Sequence, residues 1–138
     1  MSADIAPIAI AGATGAVGRE ALRILESWGI PADRLALYAS PRSAGSLVPY
    51  ASTNLTVRAL RSGDLGRHDL VVFCASATLA RLHVPDAVLS GAVVVDASSA
   101  FREDPTVPLV IPEINAHLLD AAPRLVASPN CSTTILLT

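Results

Sequence analysis

The stretch from residue 5 to residue 18, IAPIAIAGATGAVG, decides the fold. Ile5 to Ala11 is a short apolar run, which reads as a buried strand with Pro7 at its beginning. It ends at Gly12. From Gly15 to Trp28 the apolar residues Val17, Ala21, Ile24, Leu25 and Trp28 recur at helical spacing and predict one buried helix face. Gly29 and Pro31 end that helix. A strand, a glycine turn and a helix therefore follow one another at the start of the chain.

The same alternation continues outward. Arg34–Ala39 (RLALYA), Asp69–Ala75 (DLVVFCA), Ala92–Asp96 (AVVVD) and Arg124–Ala127 read as further strands. Leu55–Leu60 alternates weakly and predicts an edge strand, and Ser40–Asn54 reads as a long loop. Thr78–Leu89 predicts a helix disturbed by Pro85. Leu109–Ile111 is a short apolar segment, Asn115–Leu119 a helical turn, and Cys131–Thr138 the beginning of a helix. Continuous apolar strands alternating with helices predict an α/β fold. Its form is a doubly wound, mostly parallel, Rossmann-type sheet with helices on both faces.

Composition narrows the function. The chain has 138 residues, 51% hydrophobic and 16% charged, with a formal net charge of −2. Mean hydropathy is +0.50, which excludes a disordered chain. The charge balance argues against a nucleic-acid partner. No apolar run reaches the roughly 18 residues a membrane span needs. The first apolar stretch follows Asp4 rather than a basic cluster, unlike a secretion signal. All ten basic residues are Arg, so neither a Schiff-base nor a phosphate-loop lysine is present. Cys74 and Cys131 form no disulfide scaffold and have no Cys or His at metal-ligand spacing, so no metal is expected. The expected location is the cytoplasm, with free thiols.

Three segments carry chemistry. Gly12, Ala13, Thr14, Gly15, Ala16, Val17 and Gly18 form G-x-x-G-x-x-G, a variant of the dinucleotide fingerprint. Gly12 would permit the tight turn, Gly15 the approach of a pyrophosphate, and Gly18 close helix–strand packing. At the end of the second strand, where an acid would bind the ribose of NAD, the sequence is Ala39-Ser40-Pro41-Arg42-Ser43. Ser40, Arg42 and Ser43 can donate to a 2′-phosphate, which favours NADP; the alternative is a solvated loop. Ser128-Pro129-Asn130-Cys131-Ser132-Thr133-Thr134 places a cysteine at a helix start, where a thiolate is favoured. Asn130 can cap that helix or orient the site. A nucleophilic thiol beside a nicotinamide suggests acyl-enzyme chemistry on a small-molecule substrate. The alternative for Cys131 is a small buried apolar residue, and that is the expectation for Cys74. Ser98, Ser99 and Arg102, in DASSAFR after another strand, could hold a phosphate or could form a solvated surface turn.

Taken together, GATGAVG at 12–18, ASPRSAG at 39–45, DASSAFR at 96–102, VPLVIPEINAH at 107–117 and SPNCSTT at 128–134 resemble the aspartate-β-semialdehyde dehydrogenase family. The resemblance implies NADPH-dependent reductive dephosphorylation of β-aspartyl phosphate, on the route to lysine, threonine and methionine. It implies that Cys131 forms a thioester, that Asn130 supports the site and that Arg102, with Ser98 and Ser99, binds the substrate phosphate. Ser40, Arg42 and Ser43 then meet the adenosine 2′-phosphate, and Ala75 and Ser76 the cofactor. Two positions depart from the family pattern. Ala97 stands where Asn is usual, and Ala75-Ser76-Ala77 replaces Ala-Gly-Gly.

N-acetyl-γ-glutamyl-phosphate reductase shares this chemistry but typically has Pro-Gly-Cys where this chain has Pro-Asn-Cys. A non-catalytic NADP-binding or redox-sensing module is the other alternative. The family's general base, its carboxylate-binding Arg and most of its dimer interface lie in a second domain. The expectation is therefore that residues 1–138 are the NADP-binding part of a longer enzyme, a homodimer or homotetramer, and inactive alone. His68, His83 and His117 match no catalytic motif, and His117 reads as a surface residue.

Overall fold

The computed structural model describes residues 7–138, so Ile5 and Ala6 of the first predicted strand lie outside the described residues. Strand β1 is Ile8–Ala11, and helix α1 follows it at Ala16–Ser27. Strand β2 is Leu35–Ala39, β3 Leu47–Tyr50, β4 Thr53–Ala59 and β5 Leu70–Phe73. Helix α2 is Ala77–Leu89, and β6 is Val93–Asp96. A short helix α3 at Pro112–Asn115, strand β7 at Leu125–Ala127 and helix α4 at Cys131–Leu137 complete the order.

The strands form one sheet in the order β3-β4-β2-β1-β5-β6-β7. All neighbours are parallel except β3 and β4. Without β3, this is the order of the dinucleotide-binding folds, with winding reversed between β1 and β5. Ligands of such sheets sit at that switch point, beyond the carboxyl ends of the strands. The register puts Ala11 beside Tyr38 on one side and Phe73 on the other.

Helices pack on opposite faces at the centre of the sheet, which explains the unbroken apolar runs there, while Val93 and Val95 of β6 stay partly exposed. Alternate residues point oppositely. Ala9, Ala11, Tyr38, Val71 and Phe73 pack with Ala80, Val84 and Ala87 of α2. Ile10, Leu35, Leu37 and Val57 pack with Leu22 and Leu25 of α1. The α1 face differs from the expected one. Its buried residues are Gly18, Leu22 and Leu25, while Val17 is 55% and Trp28 72% exposed. Gly18, Leu22 and Leu25 follow one another at spacings of four and three and so share one helix face.

Two further expectations are corrected. Leu55–Leu60 is no edge strand, because β4 lies between β2 and β3. The region 40–54 is not one loop, because β3 turns back onto β4 through Ala51, which adopts a positive φ of 51°. The Tyr50 hydroxyl donates to Ile30 O at 2.7 Å, and the Ala51 N–H to Glu26 Oε1 at 2.9 Å, which fastens the hairpin to the end of α1. Pro85 lies inside α2, which runs unbroken to Leu89. Beyond β7, Leu109 forms a parallel bridge to Ala127. The Ala127 N–H donates to Pro108 O at 2.9 Å, and the Val110 N–H to Ala127 O at 3.0 Å. Among the described residues no helix is long and apolar enough to cross a membrane.

Candidate functional site

The glycine turn is held from below by β2. The N–H groups of Gly12 and Ala13 both donate to Tyr38 O, at 2.8 and 3.1 Å. Gly12 has φ +84°, and a Cβ there would lie 2.6 Å from Cys74 O. A Cβ on Gly18 would lie 2.2 Å from Gly12 O. These two glycines are required by backbone meeting backbone. Gly15 differs. It caps α1 in an extended conformation, and a Cβ there would meet only Gly12 O at an ordinary 3.5 Å. No side chain caps α1, so its first N–H groups remain open to a ligand. The fold leaves room at Gly15 for a backbone–phosphate approach, as a dinucleotide requires.

At the switch point lies a cleft of about 340 Å³, whose lining includes Gly12, Thr14, Gly15, Ser40 and Ala75. Thr14 Oγ1 donates to Ser43 Oγ at 3.4 Å, joining the glycine turn to the loop after β2. Among the described residues no carboxylate lines the cleft. Arg42 is exposed beside it, on the short helical turn Pro41–Ser43. Other predicted residues face elsewhere. Ala13 is buried in the α1-side core, and Ala16 and Val17 are exposed on the first turn of α1. The Ser76 hydroxyl caps α2 by accepting from Leu79 N–H at 3.3 Å.

Sequence reasoning missed Leu60, Leu79 and His83, which also line the cleft. No motif marks them. The i, i+4 spacing of Leu79 and His83 after the Ser76 cap was the available signal.

A second cluster forms where β5, β6 and β7 end. Backbone bonds step across it: Ala97 N–H donates to Phe73 O at 2.8 Å, and Ser128 N–H to Asp96 O at 2.8 Å. Asp96 is fully buried. Its Oδ1 accepts from Ser98 N–H at 2.9 Å and its Oδ2 from Ser98 Oγ at 2.8 Å. Ser98 Oγ in turn accepts from Ala100 N–H at 3.1 Å. The Ser98 hydroxyl thus donates to Asp96 in this arrangement, tying the start of the loop to the end of β6. Ser99 is exposed. Arg102 donates from Nε to Ser128 O at 2.8 Å and from one Nη to Ala97 O at 3.1 Å. It pins the loop after β6 to the loop after β7 and keeps further N–H groups free to donate. Asp96→Ala would orphan both Ser98 donors. It is expected to destabilise the fold by about 3 kcal/mol, read as a lower urea midpoint with an unchanged slope.

Asn130 caps α4, its Oδ1 accepting from Ser132 N–H at 2.9 Å, and Cys131 Sγ lies 3.9 Å from the same oxygen. The two thiols sit in opposite settings. Cys131 is exposed and Cys74 partly buried, and neither is in a disulfide. Burial, with the nearby Asp96 charge second, pushes the Cys74 thiol up to about 11. The thiolate is the reactive form. Iodoacetamide at neutral pH is therefore expected to label Cys131 and spare Cys74, with Cys74 labelling only on approach to its raised pKa. Peptide mass spectrometry checks this, and equal labelling of both at neutral pH would contradict it.

The sequence matches the family model for the semialdehyde dehydrogenase NAD binding domain over residues 7–122. The chain belongs to that family. Among relatives, the aspartate-semialdehyde dehydrogenase of Aquifex aeolicus is 41% identical over 129 residues, covering 91% of this chain and 38% of that protein. The Bacillus subtilis aspartate-semialdehyde dehydrogenase is 40% identical over 126 residues, covering 91% of this chain and 36% of that protein. Among solved structures, aspartate semialdehyde dehydrogenase II of Vibrio cholerae complexed with ASA superposes with a TM-score of 0.86 at 36% identity. That match covers 94% of this chain and 43% of that one. The chain thus spans well under half the length of these semialdehyde dehydrogenases. What it shares with them is an α/β Rossmann-like domain of an oxidoreductase family.

Proposed function

We propose that this chain is the NADP-binding and thiol-bearing part of an aspartate-semialdehyde dehydrogenase, working in the cytoplasm within a homodimer or homotetramer. The observation that carries the proposal is the Arg102 clamp. It joins the phosphate-type loop of β6 to the loop that presents Cys131, one strand away from the glycine cleft. Gly12–Gly18 would cradle the pyrophosphate. Ser40, Arg42 and Ser43 would meet the 2′-phosphate, with Ala75 and Ser76 beside the cofactor.

Arg102, through its free N–H groups, and Ser99 would hold the phosphate of β-aspartyl phosphate. Cys131 would attack the acyl carbon, forming a thioester and releasing inorganic phosphate. When bound, NADPH supplies the hydride that turns the acyl group into the aldehyde. Cys131 then leaves as the thiolate, and Asn130 keeps α4 capped so that the sulfur holds its place. Phosphate and semialdehyde would be the small-molecule partners.

The cofactor half is tested by calorimetric titration of the 138-residue chain with NADP and NAD. NADP is expected to bind more tightly. Arg42→Ser should weaken NADP by about tenfold or more, the loss of one charge-assisted contact, and leave NAD unchanged. An absence of saturable NADP binding would sink the proposal. Semialdehyde oxidation by the 138-residue chain alone is expected to stay at background.

A further inference from the structure

We infer that His83 is the residue against which the adenine base of the cofactor stacks; this rests on the NADP-binding reading of the cleft. Leu79 and His83 are one helical turn apart on α2, so they share a face. Both line the cleft, and Leu60, at the end of β4, lines it too. Of these three walls only the imidazole is polar; the other polar side chains of the lining, Thr14 and Ser40, belong to the glycine turn and the loop after β2. His83 is half-buried and makes no hydrogen bond to any described residue, unlike His68, which meets the Tyr38 hydroxyl at 2.8 Å. Its ring is therefore committed to no other contact of that kind.

The identity of the group follows by placement. The pyrophosphate belongs at the glycine turn and the 2′-phosphate at residues 40–43. The nicotinamide must lie toward Cys131, past the ends of β5 and β6. The part of the slot beyond β2, between Leu60 and α2, is left for the base. A flat imidazole offers a purine a stacking face and an adjacent ring nitrogen.

The test uses the 138-residue chain and four ligands: NADP, NAD, adenosine 2′,5′-bisphosphate and nicotinamide mononucleotide. His83→Ala and His83→Gln should each weaken the three adenine ligands by the same factor, about fivefold or more. His83→Phe, which keeps a flat ring, should restore affinity to within about threefold. Nicotinamide mononucleotide should be unaffected, whereas Arg42→Ser should touch only the 2′-phosphorylated ligands. Unchanged NADP affinity in both His83→Ala and His83→Gln, with folding intact by thermal denaturation, overturns the inference and leaves the cofactor proposal standing. So does a loss for NADP with none for adenosine 2′,5′-bisphosphate. Failure of the unmutated chain to bind any adenine ligand overturns both.

Discussion

Gly12→Ala should cost the domain roughly 2–5 kcal/mol, a sum of left-handed backbone strain and overpacking. Its φ is +84°, and its Cβ would stand 2.6 Å from the Cys74 carbonyl oxygen. Neither partner can step aside. Gly12 is tied to Tyr38 O by its own N–H, and Cys74 N–H donates to Ala11 O at 2.7 Å. The loss is a large part of the stability of an ordinary domain and should appear as a much lower urea midpoint. Gly15→Ala is the contrast, because its Cβ meets nothing closer than 3.5 Å. Its stability should stay within about 1 kcal/mol of the parent, while NADP affinity drops by about tenfold or more as the methyl enters the phosphate's path. Equal stability losses in the two variants would refute this division of labour.

Cys131→Ser should remove turnover by at least about a thousandfold while leaving the fold and NADP binding intact. The assay suited to a chain that spans 38% of the Aquifex aeolicus enzyme is a hybrid in which residues 1–138 replace the matching part of that protein. Phosphate-dependent NADP reduction by aspartate semialdehyde is then followed by absorbance. Cys131 is exposed, and among the described residues its sulfur is in hydrogen-bond range only of Asn130 Oδ1, at 3.9 Å. A serine there disturbs no packing and keeps the Asn130 cap. What it lacks is an accessible anion, since an alcohol ionises far less readily than a thiol. A Cys131→Ser hybrid that keeps the parent hybrid's rate would reject the thioester route.

The central strands and the first helix were legible because their signals are local. Glycine punctuation and apolar runs bounded β2, β5 and β6 to within a residue or two, and placed the end of β1 at Ala11. Strand β3 was not legible. Its four residues include Pro49, and Gly45 and Ala51 flank it, so local composition says loop while pairing with β4 makes a strand. The α1 face was misjudged because Trp28 counts as apolar in any pattern, yet it stands at the C-cap of α1 and meets solvent.

In the site, the chain order of the glycine turn, the Asp96 loop and the Cys131 loop was readable. The bond from Ser98 to Asp96 was readable in principle, as an acid two residues before a hydroxyl in a turn. The Arg102 bonds to Ala97 O and Ser128 O were not, because they span 5 and 26 residues and depend on the neighbouring of β6 and β7.

The two borders of the sheet bear on self-association. A bare strand edge invites another chain to add itself, the route to domain swapping and fibrils. At one border β7 is three residues long, and the segment 108–110 already occupies its Ala127 groups. At the other, the hairpin closes on Tyr50 and Thr53, which leaves Pro49 on the outward-pointing set of β3. Proline presents no N–H there. Both templates are blunted by the chain's own segments, which favours contacts set by surface chemistry over strand addition when copies of this domain meet at high concentration.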